Sequence, residues 1–327
     1  MSSSLRIIRQ VLAALETPRN VCIVGHVRPD GDCIGSQLAL AHALKRAGKR
    51  VTVWNADPIP AKLAFLDPDG LLQRPARRRR FDCVIATDAA NPERLGETGA
   101  CIGSRRQLIN IDHHQSNTRY GDVNWVEPAS PSTGELIHQL CRRAGWAITP
   151  LMADLLFTAV STDTGSFQYD SVRPGTFTTA ADLVRGGVRV GELCRRLYQS
   201  QSRARVELLR HVYQSFKLSP DGCLAWFWLR PRDLARAGAD RSDTDGLIDH
   251  IRSIDTVVAA CVFEELEDGR VRVSLRSKSR SVDVNRVAAR FGGGGHPAAA
   301  GARLSGPPAS AQRRVLSALR EALECPF

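Results

Sequence analysis

The first two hundred residues alternate short hydrophobic runs with longer stretches in which hydrophobic positions recur at helical spacing. Four of the runs predict buried strands, at residues 21–24, 51–54, 83–86 and 108–111. Between the first two, Leu38 and Leu44 fall on one face of a helix predicted over residues 34–47, and Gly48 marks its end. Residues 151–161 predict a second helix, which is apolar enough to be buried. Strands that alternate with helices need right-handed crossovers, and they predict an α/β fold with a mainly parallel sheet.

The pattern changes after residue 200. An amphipathic helix is predicted over residues 203–217, and the turn residues Ser219 to Gly222 follow it. Beyond this turn the predicted elements are strands at residues 223–229, 257–263 and 271–275, and helices near residues 284–290 and 309–323. The turn at Asp268 and Gly269 predicts that the last two strands form a hairpin. We therefore expect a first domain at residues 1–198, a helical linker at 199–220, and a smaller α+β domain at 221–327.

Composition supports two globular domains. The chain has 327 residues, of which 43% are hydrophobic and 24% charged, a balance that excludes a mostly disordered protein. It contains no run of about 18 apolar residues, so no membrane-spanning helix is expected. The first 20 residues indicate an amphipathic helix rather than a signal peptide. Nine cysteines without C-x-x-C spacing favour free thiols, and thus a cytoplasmic location.

The basic excess is unevenly distributed. The formal net charge is +11, and residues 1–220 carry 29 basic and 20 acidic side chains, against 16 and 14 in residues 221–327. The run from Arg77 to Arg80 is interpreted as a solvated loop before a strand. Charge alone therefore permits an anionic partner without specifying one.

Acidic residues and histidines follow the predicted strands. The candidates are His26, Asp30 and Asp32 after the first strand, Asp88 after the third, Asp112, His113 and His114 after the fourth, and Asp163 after the buried helix. Taken singly, each group has an ordinary explanation, such as a helix N-cap, a strand-end cap or a surface loop. In an open parallel sheet, however, the carboxyl ends of the strands form one ligand-binding crevice. The acidic segments are therefore expected to converge there.

Carboxylates packed together at such an edge repel one another unless cations lie between them. Oxygen and nitrogen ligands in combination suit a divalent ion such as Mn²⁺ better than Ca²⁺. The candidates are too many for one tetrahedral site and fit two ions about 3.5–4 Å apart. The pattern therefore predicts a two-metal site able to receive a phosphate ester.

The ordered motifs resemble those of the DHH phosphoesterases. The matching segments are His26-x3-Asp30-Gly31-Asp32-x2-Gly35-Ser36, Asp88, Asp112-His113-His114 and Asp163. The resemblance implies one metal bound by His26, Asp30 and Asp88. It implies a second bound by Asp32, Asp88, His113 and Asp163, so that Asp88 bridges the two. His114 is expected to contact the scissile phosphate or assist the leaving group, and Asp112 to orient the histidine segment.

Two downstream segments resemble the DHH-associated C-terminal domain. These are Ser274-Leu275-Arg276-Ser277 and the glycine strip Gly292-Gly293-Gly294-Gly295-His296. Glycines without Cβ atoms let backbone N–H groups approach an anionic ligand closely. Arg276 and His296 are expected to hold a terminal phosphate or carboxylate there. The alternative for the strip is a flexible hinge with an incidental histidine.

The length and the domain pair most resemble the branch of this family that degrades short oligoribonucleotides and dephosphorylates 3′-phosphoadenosine 5′-phosphate. That resemblance implies hydrolysis of di- to roughly pentanucleotides to mononucleotides, with Mn²⁺, in a cleft between the domains, and a possible homodimer. Cyclic dinucleotide hydrolysis and RecJ-like exonuclease activity are the alternatives within the family. Family II pyrophosphatases resemble the N-terminal half but carry a different C-terminal domain, so the strip from Gly292 to His296 counts against them. A nucleotide- or RNA-binding module without catalysis is the non-enzymatic alternative.

Overall fold

The computed structural model describes residues 3–266 and 268–324, divided between a unit at residues 1–200 and a unit at residues 201–327. The first unit contains helices α1 (Ser3–Glu16), α2 (Gly31–Arg46), α3 (Glu97–Cys101), α4 (Thr133–Ala144), α5 (Pro150–Asp163), α6 (Pro174–Arg185) and α7 (Val190–Tyr198). Its strands are β1 (Asn20–Val24), β2 (Arg50–Trp54), β3 (Leu72–Gln73), β4 (Arg79–Thr87), β5 (Ile102–Asp112) and β6 (Val123–Val126). Short 3₁₀ helices lie at Ala61–Leu66 and Pro92–Leu95.

The six strands of the first unit form one parallel sheet in the order β3-β2-β1-β4-β5-β6. The central strand β1 is hydrophobic on both faces, and Val21 to Val24 are all fully buried, as expected where both faces of a parallel sheet are covered. The predicted α/β fold with a mainly parallel sheet is confirmed. The edge strands β3 and β6 were not predicted, because they have two and four residues and little hydrophobic pattern.

Helix α2 starts earlier than its sequence pattern predicts. Asp30 is the N-cap, and its Oδ1 accepts a hydrogen bond from the Cys33 backbone N–H at 3.0 Å. The helix therefore begins at Gly31 rather than near residue 34. As a result, Asp32 lies in the first helical turn and its side chain is fixed by helical geometry rather than by a loop.

Helices α2 and α5 pack closely because Gly35 has no side chain. A Cβ atom at Gly35 would lie 2.4 Å from the backbone oxygen of Leu155 and 3.0 Å from Cβ of Ala159. We expect Gly35→Ala to lower the free energy of unfolding by about 1–3 kcal/mol or more, because the two helices would have to separate. Denaturant unfolding measures this loss. Gly191→Ala in α7 is the matched control: a Cβ there meets nothing within 4 Å, so its unfolding free energy should change by less than about 1 kcal/mol.

The second unit is a mixed α/β structure. Its helices are α8 (Arg203–Ser215), α9 (Pro231–Ala237), α10 (Leu247–Arg252), α11 (Val284–Ala289) and α12 (Pro308–Glu324), with a 3₁₀ turn at Arg241–Thr244. Its strands are β7 (Lys217–Leu218), β8 (Leu224–Leu229), β9 (Ala259–Glu265), β10 (Val271–Ser277), β11 (Gly294–His296) and β12 (Ala299–Leu304). They form a sheet in the order β11-β12-β10-β9-β8-β7, in which only the β8–β9 pair is parallel. The structure contains the predicted β9–β10 hairpin.

Helix α8 belongs to the core of the second unit. Leu208 and Val212 are fully buried in one cluster with Phe227 of β8. The division between the units falls after residue 200, so residues 201–220, expected as a linker, fall within the second unit. Among the described residues, no helix is both long and apolar enough to cross a membrane.

The arginine run differs from its sequence interpretation. Arg77 and Arg78 precede β4, whereas Arg79 and Arg80 form its first two residues. They are in the strand because β4 pairs with β5 from Arg79 onward. The Arg79 guanidinium also lies 5.5 Å above the Phe81 ring, a favourable cation–π distance.

Candidate active site

The candidate residues of the first unit meet at the carboxyl edge of its sheet. They lie as follows: His26 just after β1, Asp30 and Asp32 at the start of α2, Asp88 just after β4, Asp112 at the end of β5 with His113 and His114 next, and Asp163 at the end of α5. His26, Asp32, Asp88, Asp112 and His113 are buried, Asp163 and His114 are partly buried, and Asp30 is exposed. The structure therefore brings all eight residues to one edge.

Asp88 lies at the centre of the cluster. Its Oδ2 is 3.3 Å from Nε2 of His26, and its Oδ1 is 3.5 Å from Nε2 of His113 and 3.7 Å from Nδ1 of His114. The backbone of Asp88 is left-handed, with φ of +56°, a conformation that costs energy for most residues and that Asp and Asn tolerate best. This turn directs the carboxylate back between the histidines. Asp88 thus contacts the side chains expected at both metals.

Asp32 is anchored by the N-terminus of α4. Its Oδ2 accepts a hydrogen bond from the backbone N–H of Thr133 at 2.7 Å, and its Oδ1 accepts one from that of Gly134 at 2.8 Å. Ser36, one turn further along α2, donates its hydroxyl to Oδ1 at 3.0 Å. Backbone N–H groups at a helix N-terminus stabilise negative charge. Asp32 is therefore held in place while its carboxylate stays next to His113, 3.8 Å away.

Thr133 connects the two central carboxylates. Its backbone N–H binds Asp32, and its hydroxyl donates to Oδ1 of Asp88 at 3.0 Å. We expect Thr133→Val, which keeps the shape and the N–H but removes the hydroxyl, to weaken the binding of a divalent metal ion by about 10- to 100-fold. Isothermal titration calorimetry measures this affinity. Thr133→Ser should restore it, and a Val variant with wild-type affinity would show that the hydroxyl does not position Asp88.

His113 joins Asp163 to the cluster. Its Nδ1 lies 3.3 Å from the backbone oxygen of Ser130, which suits an N–H donor there. Its Nε2 then lies 3.2 Å from Oδ2 of Asp163. This arrangement is the usual one for a metal-binding histidine, in which a backbone carbonyl fixes the ring and leaves the other nitrogen facing the ion.

His114 is oriented by a carboxylate on its other side. Its Nδ1 donates to Oδ1 of Asp112 at 2.7 Å, and Oδ2 of Asp112 accepts from the Asn117 side chain at 2.5 Å. Although burial opposes protonation, the hydrogen bond to Asp112 and the nearby charge of Asp88 raise the pKa of His114 to about 9. These two carboxylates therefore favour the protonated form of the imidazole next to Asp88.

Three carboxylates of the cluster, Asp32, Asp88 and Asp163, have strongly shifted pKa values. Burial, together with the neighbouring charges of Asp88 and Asp163, raises the pKa of Asp32 well above its usual value. Burial likewise raises the pKa of Asp163 to about 7. The pKa of Asp88 is lowered, because the His26 hydrogen bond and the nearby His114 outweigh its burial. Positive ions in the cluster would relieve the repulsion between Asp32 and its neighbours Asp88 and Asp163.

In the second unit, Arg276 and His296 share one face of the sheet. Both are paired with Ala299 of the intervening strand β12, Arg276 from β10 and His296 from β11. Directly paired residues of antiparallel strands point to the same side. The two basic side chains are thus separated by about 10 Å, two strand spacings, with only a methyl group between them. Ser277, the next residue, is buried, and its hydroxyl bonds to the backbone oxygen of Ser279.

Two of the four strip glycines, Gly293 and Gly295, are closely packed against β12. A Cβ at Gly293 would lie 2.1 Å from the backbone oxygen of Gly301, and one at Gly295 would lie 2.4 Å from that of Ala299. The N–H groups of Gly292, Gly293 and Gly295 donate to Ala289, Ala288 and the Asn285 side chain. The expectation that these N–H groups approach a ligand therefore needs correction for three of the four. Gly293 and Gly295 allow the strip to lie against β12, which places His296 in the sheet. Gly294 is paired with Gly301 in the same ladder.

Comparison with known proteins gives the family. Residues 20–160 match the DHH family, N-terminal domain, and residues 226–324 match the DHHA1 domain. The bifunctional oligoribonuclease and PAP phosphatase NrnA of Thermus thermophilus is 35% identical over 321 residues, 98% of this chain and 94% of the relative. The chain belongs to the DHH family of phosphoesterases. The family resemblance expected from the motifs is thus confirmed.

Two other proteins are similar to this chain over most of its length. NrnA of Bacillus subtilis is 30% identical and covers 85% of this chain and 87% of its own length. An exopolyphosphatase-related protein of Bacteroides fragilis, solved by crystallography, superposes with a TM-score of 0.89 at 26% identity, over 97% of this chain and 96% of its own. The likeness therefore includes both units.

The DHH family is metal-dependent, and the donor atoms at the edge of the sheet suit metal ions. Three groups of donor atoms lie within 4.8 Å of one another: Asp32, His113 and Asp163; Asp88, His113 and His114; and His26, Cys33 and Asp88. Asp30 contributes a carboxylate 3.7 Å from Nε2 of His26. Imidazole nitrogen and carboxylate oxygen on both sides of Asp88 match borderline divalent ions.

The residues that support this DHH site were missed by sequence reasoning. Thr133 and Gly134 lie about 100 residues from Asp32, and Asn117 holds Asp112. One signal was available: Ser132 caps α4 and binds the N–H of Glu135 three residues later, a spacing typical of a helix start. Because a helix start binds anions, this segment could have been proposed as a carboxylate anchor.

Proposed function

We propose that the chain is a two-metal phosphohydrolase that degrades short oligoribonucleotides to mononucleotides and removes the 3′-phosphate from 3′-phosphoadenosine 5′-phosphate. The observation that carries the proposal is the near full-length similarity to relatives named for both activities. The geometry supports it, since all eight candidate residues of the first unit lie at one sheet edge around Asp88.

The proposal assigns the ions as two Mn²⁺. His26, Asp30 and Asp88 would hold one, and Asp32, Asp88, His113 and Asp163 the other, with Asp88 shared. When bound, such ions supply positive charge to the phosphate oxygens and lower the pKa of water for in-line attack on phosphorus. Thr133 and the N-terminus of α4 keep the shared carboxylate and Asp32 in position throughout.

His114 is assigned to the leaving group. Its Nδ1 is bound to Asp112, so Nε2 is the ring nitrogen turned away from that carboxylate. As the bond between phosphorus and the leaving oxygen breaks, the imidazolium gives its Nε2 proton to that oxygen. Asp112 keeps the imidazole in the orientation that this transfer requires.

The second unit is assigned to the far end of the substrate. Arg276 and His296, on either side of Ala299, would bind a terminal phosphate, with Ser277 and Gly292 to Gly295 setting the shape of the surface. Recognition of a terminal group would favour short substrates, because a chain end lies close to the scissile bond only in a short chain.

Arg276 offers a separate prediction. Replacing it with alanine should raise KM for the dinucleotide pApA by about 10- to 100-fold, because charge-assisted hydrogen bonds to a phosphate are lost. kcat at saturation should change little. Steady-state kinetics measure both constants. Arg276→Lys keeps the charge without the planar guanidinium, so its KM should lie between those of the wild type and the alanine variant. An unchanged KM in the alanine variant would remove Arg276 from the assignment.

Compartment and assembly are part of the proposal. All eight cysteines that the structure describes are free thiols, which suits a reducing cytoplasm. A homodimer is proposed for the full-length protein, and light scattering would measure its mass.

Turnover assays test the function directly. The purified protein with Mn²⁺ is offered pApA, 3′-phosphoadenosine 5′-phosphate, cyclic di-AMP and a long single strand in parallel. We expect mononucleotide from pApA and phosphate release from the second substrate, both faster than any reaction of the other two. Absence of both activities would reject the proposal. Preference for cyclic di-AMP would indicate a cyclic dinucleotide phosphodiesterase, and preference for the long strand a RecJ-like exonuclease.

A further inference from the structure

Strands β4 and β5 extend beyond the rest of the first sheet at the edge opposite the candidate metal site. β1 is first paired with β4 at Val21 and Cys83, and β6 with β5 at Ile109 and Val123. Residues 79–82 of β4 and 102–107 of β5 therefore have each other as their main strand partners. Gly103 allows the close approach, because a Cβ there would lie 2.7 Å from the backbone oxygen of Arg79.

This two-stranded extension carries six arginines, which we call the arginine ribbon: Arg77, Arg78, Arg79, Arg80, Arg105 and Arg106. All six are exposed. Pairing between β4 and β5 brings the second pair next to the first four, since Phe81 lies opposite Arg105. The run at 77–80 is therefore part of a larger basic cluster, which presents arginines on both faces of the two strands because successive strand residues point to opposite sides.

The ribbon's charge is poorly compensated. Within residues 3–266 and 268–324, none of the six guanidinium groups lies within 4.0 Å of a carboxylate. The nearest acidic residue in sequence, Asp82, uses Oδ2 to accept the backbone N–H groups of Arg19 and Asn20. Counting that aspartate, the segments 77–82 and 102–107 carry a formal charge of +5. Such a concentration of like charge attracts a polyanion.

The ribbon is distant from the candidate metal site. Arg79 begins β4 and Asp88 follows its end, so nine residues of extended chain, about 30 Å, separate them. A dinucleotide bound at the metals is far too short to reach the ribbon. Any role for these arginines is therefore separate from the hydrolysis of short substrates.

We propose that the arginine ribbon binds the phosphodiester backbone of a nucleic-acid strand. All six cations are arginines, whose planar forks bind phosphate oxygens in pairs. The large exposed apolar side chains that the structure describes all lie elsewhere, between Tyr169 and Leu218, so the ribbon has no apolar group to insert into a bilayer. These features favour nucleic acid over a lipid surface as the partner.

Fluorescence anisotropy with a labelled 24-nucleotide RNA, in EDTA to prevent cleavage, tests the proposal. The ribbon variant combines R77Q, R78Q, R80Q and R106Q. It keeps Arg79, because the Arg79 guanidinium packs over the rings of Trp54 and Phe81. The control combines R46Q, R142Q, R143Q and R195Q, which removes the same charge from exposed helical positions. We expect the ribbon variant to bind at least about tenfold more weakly than the control, with a salt dependence reduced by about 3 in its logarithmic slope.

Three further arms complete the test. DNA of the same sequence should bind similarly if the backbone is what is recognised, and pApA turnover should be equal in the wild type and both variants. Equal RNA binding by the ribbon and control variants would overturn the proposal. So would a ribbon-dependent affinity for phosphatidylserine vesicles without one for RNA. Because RNA binding is measured without catalysis, a wild type that fails to hydrolyse pApA would reject only the proposed function.

Discussion

Replacing Asp88 with asparagine is expected to reduce turnover of pApA by at least about 10³-fold. Removing a single hydrogen-bond donor to a transition state typically lowers kcat by about 10²- to 10³-fold. Asp88 contacts His26 on one side and His113 and His114 on the other. Loss of its charge therefore weakens both proposed ion sites at once, whereas loss of any other candidate carboxylate affects only one. Metal analysis of the dialysed variant should find fewer than two ions per chain.

The choice of asparagine matters because of the backbone. Asp88 has a φ of +56°, a conformation that asparagine tolerates and that alanine adopts only with strain. Asp88→Asn should therefore keep its fold, which circular dichroism checks, while Asp88→Ala combines a catalytic and a structural defect. Asp69→Asn, at an exposed position, is the control for a lost carboxylate elsewhere. Wild-type turnover by Asp88→Asn would remove the shared-ligand assignment.

The convergence of the candidate ligands could be predicted because it depends on a local rule. Parallel strands end at a common edge, so Asp88 after β4 and Asp112 after β5 had to lie near His26 after β1. The hydrophobic runs placed these strand ends within one or two residues. Hydrophobic pattern therefore determined both the sheet and the edge at which the acids meet.

The supports of the site could not be predicted in the same way, because they are non-local. Asp32 depends on Thr133 and Gly134, which reach it only after α4 has packed against α2. The glycine strip shows a different limit. Its composition suggested an open anion-binding loop, but β12 closely approaches Gly293 and Gly295, and three of the four N–H groups donate to residues of α11.

The basic excess illustrates the same difference between local and non-local information. In the sequence, the run 77–80 and the pair at 105–106 are separate features, each typical of a solvated surface. The register between β4 and β5 joins them into one ribbon, and the direction of the strands places that ribbon opposite the candidate metal site. Neither the register nor the distance can be obtained from charge counts.

Replacing His114 with glutamine is expected to lower kcat for pApA by about 10²- to 10⁴-fold, the usual contribution of a general acid, while both ions remain bound. His113→Gln, at the preceding residue, is the matched control. His113 faces Asp163 at 3.2 Å, so its loss should remove an ion as well as activity. Metal analysis together with single-substrate kinetics separates the two histidines, and loss of an ion from the His114 variant would make His114 a ligand instead.

The leaving group gives the decisive comparison. If His114 supplies a proton to the departing oxygen, its loss should matter little when that oxygen leaves as a weak base. The p-nitrophenyl ester of a nucleoside 5′-monophosphate provides such a leaving group. The defect of His114→Gln should therefore shrink to about tenfold or less on this ester, and Asp112→Asn, which removes the charge that orients His114, should show the same pattern more weakly. A defect of equal size on both substrates would mean that His114 stabilises the phosphate rather than protonating the leaving oxygen.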